Sequence, residues 1–235
     1  MKILNDLLKY QNLKIYQDPE CFVFSLDSIL LPNFVTIRKN TKRILDICTG
    51  TAPIPLILSR KTKALITGVE IQKNIADLAE ESVKINGLDE QIKIINADIK
   101  TYQTEEKFDL ITCNPPYFKV TSLKNLNENQ AKSIARHEIT VDLETIIKIS
   151  SKLLNDQGIF GLVHRPSRLI EIVNLCEKYS LEIKKIQFVY PRINEEANIV
   201  LIEAIKNGKS QLKVLEPIIT YDGLEYTNQI KKYFE

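Results

Sequence analysis

Apolar positions in this chain fall into short runs rich in β-branched residues, separated by longer stretches with helical spacing. From residue 42 onward the two kinds alternate. Strands are predicted over Arg43–Ile47, Ala64–Glu70, Gln91–Ile95, Phe108–Cys113 and Ile159–His164. Between them lie predicted helices over Pro55–Lys61, Lys73–Ile85 and Val141–Leu154, and a short one opened by Asp98. Asn86-Gly87 suits a helix C-cap, and Asp156-Gln157-Gly158 stops the later helix. Pro166 suits the first turn of a helix running to Tyr179. Two further strands, Ile183–Tyr190 and Asn198–Ile205, are joined by a segment too short for a parallel crossover, so they pair antiparallel. Residues 213–221 read as extended and 225–234 as a terminal helix. Ahead of the alternation, Ile3–Tyr10 reads as a short helix. Leu13–Tyr16 and Cys21–Phe24 read as a hairpin, and Ser25 as the N-cap of an apolar helix reaching Val35. The boundaries expected are an N-terminal extension over 1–40 and one main domain over 41–235.

Alternating strands and helices imply a mostly parallel sheet with helices on both faces. Here that is a seven-stranded sheet with an antiparallel final strand, the arrangement of the class I methyltransferase, or Rossmann-like, α/β fold. Composition adds little. With 44% hydrophobic and 26% charged residues in 235, the chain is an ordinary globular one, and a net charge of +2 forces no polyanionic partner. No apolar run reaches a membrane span, and Met1–Asp6 begins no signal peptide. Cys21, Cys48, Cys113 and Cys176 are isolated, and His137 and His164 are far apart, so neither zinc nor disulfides are expected.

The candidate chemistry sits where the strand Phe108–Cys113 runs into Asn114-Pro115-Pro116-Tyr117. Proline has no N–H and pushes the preceding residue into an extended conformation. Asn114 is therefore held extended at a strand end, with the carbonyls of Asn114 and Pro115 available as acceptors. Tyr117 adds a flat face. Two acceptors beside an aromatic plate suit a planar ring bearing an NH2 group, whose lone pair then meets an electrophile.

The turn after the first strand, Asp46-Ile47-Cys48-Thr49-Gly50, decides which electrophile. A dinucleotide site wants a run of glycines and a pyrophosphate at a helix N-terminus. This turn has only Gly50 and places an anionic Asp46 where the pyrophosphate would lie, which disfavours a dinucleotide oxidoreductase. S-adenosylmethionine carries an ammonium and a sulfonium instead, and a carboxylate attracts both. Glu70, at the end of the next strand, is placed for the ribose hydroxyls. Asp98, with Ala97 and Ile99 nearby, is placed for the adenine amine of that cofactor.

The chain resembles the bacterial tRNA(Val) (adenine-37) N6-methyltransferase family. The resemblance is carried by Phe24–Leu31, Leu45–Gly50, Gly68–Gln72, Asn114–Phe118, Ala135–Glu138 and His164–Leu169. It departs at Cys48, Ala52 and Pro53, where glycines or other small turn residues are common. The resemblance implies a cytoplasmic enzyme that methylates the adenine beside the anticodon, and the sequence leaves monomer and homodimer open. On this reading Asn114, Pro115, Pro116 and Tyr117 are catalytic. Asp46, Cys48, Thr49, Gly50, Glu70, Ile71, Ala97, Asp98 and Asn114 hold S-adenosylmethionine. Phe118, Lys119, Arg136, His137, Arg165 and Arg168 meet the anticodon stem-loop of the tRNA, without membrane or metal. Two rivals share part of the pattern. A glutamine methyltransferase acting on a protein uses the same Asn-Pro-Pro-Tyr corner, but carries a long helical domain ahead of it. A non-catalytic RNA-binding module would keep only the shell.

Overall fold

The computed structural model describes residues 2–7, 12–18, 25–116 and 142–234. The chain opens with an antiparallel pair, β1 (Ile3–Asp6) and β2 (Lys14–Gln17), then helix α1 (Asp27–Phe34). β3 (Arg43–Ile47), α2 (Pro53–Ser59), β4 (Leu65–Glu70), α3 (Lys73–Ile85), β5 (Ile92–Asn96) and β6 (Phe108–Cys113) alternate after it. Next come α4 (Leu143–Leu153), β7 (Leu154–His164), a 3-10 turn over Pro166–Arg168, α5 (Leu169–Lys178), β8 (Leu181–Tyr190) and β9 (Ile199–Lys206). The C-terminal part adds β10 (Lys213–Val214), β11 (Ile218–Ile219), β12 (Tyr221–Asp222), β13 (Glu225–Tyr226) and α6 (Asn228–Lys231).

Across the main sheet the strand order is β5-β4-β3-β6-β7-β9-β8, with β10 and β11 laid beside β8. Strands β3 to β7 are parallel, and β9 runs antiparallel between β7 and β8. The expected seven-stranded sheet is therefore present, widened by two short parallel additions. Its faces are covered separately. Ile44, Ile66, Leu110 and Leu201 pack under α1, α2 and α3, while Leu45, Ile47, Ile111 and Phe160 pack under α4 and α5. The period-2 alternation of strand side chains divides them.

One row across the sheet departs from apolar packing. Ile94, Gly68, Asp46, Thr112, Gly161, Glu203 and Lys185 stand in register on successive strands. A Cβ on Gly161 would stand 2.3 Å from Val35 Cγ1, so this glycine lets the end of α1 settle on β7. The Glu203 carboxylate accepts from the backbone N–H of Thr36 at 2.6 Å and pairs with Lys185 Nζ at 2.9 Å. These contacts seat α1 and the chain leaving it on the sheet.

Several expected elements differ. Ile3–Tyr10 is not a helix: Ile3–Asp6 is a strand, because pairing with Lys14–Gln17 satisfies its backbone. The predicted partner Cys21–Phe24 lies outside the described residues. Ser25 is not the N-cap of α1. Leu26 takes that place, and the Ser25 carbonyl accepts from the Ser28 N–H at 3.1 Å. Helix α2 starts two residues earlier than expected, since Pro53 occupies its first turn, where a missing N–H costs nothing. Asp98 opens a single turn rather than a helix, its carbonyl accepting from Thr101 and Tyr102. The terminal helix is confined to Asn228–Lys231, because Tyr221–Tyr226 forms a hairpin around Gly223.

Candidate active site

In a parallel sheet all carboxyl ends lie on one edge. Here Ile47, Glu70, Asn96, Cys113 and His164 end neighbouring strands there. The order of strands reverses between β3 and β6, and helices α2 and α4 pack on opposite faces of the sheet. A crevice opens at such a switch point. Ile47 and Cys113 are direct neighbours across it, so the Asp46–Gly50 turn and the Asn114 corner stand side by side.

The turn is built around Asp46. Its side chain is fully buried, Oδ2 accepts from Thr49 Oγ1 and Oδ1 from Thr112 Oγ1, each at 2.6 Å. Burial pushes this carboxyl up from 3.8 to about 7, and the charge of Glu70 adds to the rise while the threonine bonds oppose it. Asp46 thus holds the turn from beneath. Gly68 makes room for that bond: a Cβ there would stand 2.8 Å from Thr49 Oγ1. Above it, Cys48, Gly50 and Ala52 all have positive φ, at 59°, 57° and 69°. Only glycine adopts that region freely, and the residue departures at Cys48 and Ala52 thus carry backbone strain. Space around Gly50 is open, with no atom within 4 Å of a built Cβ.

Glu70 is 5% exposed and is held by backbone donors at both oxygens. Gly50 N–H donates to Oε2 and Gln72 N–H to Oε1, each at 3.0 Å. The Asn96 amide donates to the carbonyls of Glu70 and Ile71, tying β4 to β5 at this edge. Ile71, Ala97 and Asp98 are half-buried beside it, and Asp98 Oδ1 accepts from the Lys100 N–H at 2.9 Å. The structure therefore brings together Asp46, Cys48, Thr49, Gly50, Glu70, Ile71, Ala97 and Asp98 along three adjacent strand ends.

Across the crevice, Asn114 and Pro116 are half-buried and Pro115 is buried. Asn114 Nδ2 donates to Ser28 Oγ at 3.0 Å, and Ser28 is 3% exposed. Just before the corner, the buried Cys113 thiol lies within hydrogen-bond reach of Cys48, and burial pushes it well above its ordinary value. Tyr117, Phe118, Lys119, Arg136 and His137 lie outside the described residues. Arg165 Nη1 donates to the Asn198 carbonyl at 2.8 Å. Arg168 forms a two-point pair with Glu171 at 2.5 and 2.6 Å, so its fork already meets a carboxylate.

Sequence reasoning gave no individual role to Ser28, Thr112 or His164. Thr112 was findable as a lone hydroxyl in an apolar strand, two residues before the corner. His164 is 3% exposed, and its Nδ1 accepts from the Arg165 N–H at 2.8 Å. Burial, with Arg168 nearby, lowers it from 6.5 to about 4, so it is neutral at pH 7. A separate cleft of about 480 Å³, lined by Arg43, Leu65, Ile92 and Phe108, lies at the opposite edge, where these strands begin. Among the described residues no group of three or more His, Cys, Asp or Glu is placed for a metal, and no helix is long and apolar enough to cross a membrane.

Known proteins resemble this chain in sequence and in fold. The sequence model of the methyltransferase small domain matches residues 23–168. A tRNA1(Val) (adenine(37)-N6)-methyltransferase of Bacteroides thetaiotaomicron is 32% identical over 161 residues, 68% of this chain and 66% of that protein. A protein of the same name from Aeromonas salmonicida is 30% identical over 206 residues, 86% of this chain and 84% of its own length. A solved structure from Agrobacterium tumefaciens, described as a predicted O-methyltransferase, aligns with a TM-score of 0.69 at 21% identity. It covers 88% of this chain and 95% of that one, a likeness of fold.

Proposed function

Because this chain belongs to the methyltransferase small domain family, we propose that it transfers a methyl group from S-adenosylmethionine to N6 of an adenine in tRNA. The relatives' shared name supports adenine 37 of tRNA(Val) as the target, and a cytoplasmic enzyme is the reading that goes with it. The observation that carries this reading is the juxtaposition of two built features. The acidic turn around Asp46 and Glu70 stands directly beside the Asn114-Pro115-Pro116 corner on neighbouring strands.

The residues fit the cofactor. The open space at Gly50 admits a ligand against the backbone. The Glu70 carboxylate, fixed by two backbone donors, keeps lone pairs for a ribose diol. Asp98 and Ala97 flank the place of the adenine ring. Asp46, buried and bonded to Thr49 and Thr112, holds the turn that would receive the cationic end. When bound, S-adenosylmethionine supplies an electrophilic methyl group on a sulfonium that leaves as a neutral thioether.

The target amine is a poor nucleophile, because its lone pair is shared with the adenine ring. The side-chain amide oxygen of Asn114 and the backbone carbonyl of Pro115 draw on its two hydrogens and favour a tetrahedral nitrogen. As the N–C bond forms and the C–S bond breaks, positive charge grows on that nitrogen. Fixed carbonyl dipoles stabilise it more than the ground state. The methylated ammonium then loses a proton to water, so no strong base is required. Tyr117 supplies the stacking face, and a base in an anticodon loop reaches it at low unstacking cost. Phe118, Lys119, Arg136, His137 and Arg165 are proposed to meet the RNA. Arg168 does so only by exchanging Glu171 for a phosphate. Helix α1, from the N-terminal extension, stands beside the corner through Ser28.

Incubation with S-adenosylmethionine and an unmodified tRNA(Val) transcript tests the reading. N6-methyladenosine at position 37, absent from a transcript carrying guanine there, is the expected product. A methylated glutamine on a protein and no modified tRNA would contradict it.

A further inference from the structure

We infer that Asn96 is a positioning residue for the cofactor, holding the peptide between Ile71 and Gln72 so that its N–H fixes the Glu70 carboxylate for the ribose diol. The inference rests on the cofactor half of the function proposed above and extends it to a residue of β5. Glu70 and Asn96 are the last pair in the ladder between β4 and β5. Glu70 also ends β4, so the Ile71 carbonyl lies past that ladder. The Asn96 side chain reaches it instead. Its Nδ2 donates to the Ile71 carbonyl at 3.0 Å and to the Glu70 carbonyl at 2.9 Å. A carbonyl only accepts, so two of them side by side select the NH2 end of the amide and repel the oxygen end.

Peptide geometry carries this bond through to Glu70. The Ile71 carbonyl and the Gln72 N–H belong to one planar trans peptide and point to opposite sides of it. Anchoring the carbonyl on Asn96 therefore turns the N–H the other way, and that N–H donates to Glu70 Oε1 at 3.0 Å. The Gly50 N–H holds Oε2 at 3.0 Å. A glutamate side chain without such anchors would lose rotamer freedom on meeting a diol, which weakens binding. With Asn96 setting one of the two anchors, part of that ordering precedes the ligand. Asn96 itself is exposed at the carboxyl edge of the sheet, so replacing it opens no cavity in the core. Its effect on the cofactor can thus be read apart from packing.

Two substitutions test the role. Asn96→Asp keeps the shape but sets an oxygen against the two carbonyls, and Asn96→Ala removes the contact. Parent and variants are titrated by calorimetry with S-adenosylhomocysteine and with its 2′,3′-dideoxy analogue, and their melting temperatures are recorded. Loss of the two hydrogen bonds predicts affinity for S-adenosylhomocysteine about tenfold weaker in both variants, with aspartate no better than alanine. The analogue has no diol for Glu70 to hold. The same substitutions are therefore expected to change its affinity by less than about twofold. Melting temperatures are expected to stay close to the parent's. Equal losses for the two ligands would overturn the proposal, because Asn96 would then act on the sheet edge as a whole and not through Glu70. So would parent-like affinity for S-adenosylhomocysteine in Asn96→Asp. A parent protein that binds S-adenosylhomocysteine but leaves the tRNA(Val) transcript unmethylated would sink the functional reading alone, with the Asn96 comparison still standing. A parent protein that binds no S-adenosylhomocysteine would overturn both.

Discussion

Two buried titratable groups at the candidate site pull stability in opposite directions with pH. Asp46 binds its proton more tightly folded than unfolded, its value rising from 3.8 to about 7. Its contribution is therefore present at low pH and is lost as pH rises through that window, at about 1.4 kcal/mol per unit at most. His164 behaves in reverse. Its folded value drops from 6.5 to about 4, so the stability it contributes is lost as pH falls through that interval. Between about pH 4 and 6.5 the two slopes oppose each other. Urea unfolding across this range is expected to show stability rising with pH in Asp46→Asn and falling with pH in His164→Gln. The same slope in both variants would contradict the assignment. Gly68 gives a second residue-scale prediction. In Gly68→Ala the new Cβ meets Thr49 Oγ1 at 2.8 Å and forces it off Asp46. Overpacking of this kind costs about 1–3 kcal/mol, and cofactor affinity by calorimetry should fall with it.

At the scale of elements, α1 meets the corner on β6 where Ser28 accepts from the Asn114 amide. Gly161→Ala would drive a methyl group into Val35 and lift the end of α1 from β7. The expected loss is about 1–3 kcal/mol in urea unfolding, with turnover reduced more than cofactor affinity. Sequence patterns located the elements that build the site well. Arg43–Ile47, Lys73–Ile85 and Phe108–Cys113 match the predicted bounds, because long apolar periodicity and the Asn86-Gly87 cap are strong local signals. The failures have physical causes. Ile3–Asp6 carries a pattern that suits helix or strand, and only its pairing with β2 decides. Tyr221–Tyr226 is a hairpin because Gly223 takes φ +60°, a turn signal outweighed by the polar spacing after it. Within the site, the placement of Asp46, Glu70 and Asn114 at the strand ends was legible because it depends on local sequence. Ser28 and Thr112 were not, because their roles depend on which strand or helix lies opposite.

For the whole molecule, the sheet serves as a rigid frame that sets two chemistries at one switch point. The turn proposed for the cofactor belongs to β3 and β4, and the corner proposed for the amine to β6 beside α1, so each can fail without the other. Asn114→Ala exposes that separation. The Asp46–Glu70 side keeps its bonds to Thr49, Thr112, Gly50 and Gln72, none of which involves Asn114. Single-turnover methyl transfer from S-adenosylmethionine to tRNA(Val), measured beside cofactor affinity in the parent and Asn114→Ala, tests the account most directly. The expected result is a transfer rate lowered by about 100-fold or more, with cofactor affinity within about threefold of the parent. Near-parent transfer by Asn114→Ala would contradict it.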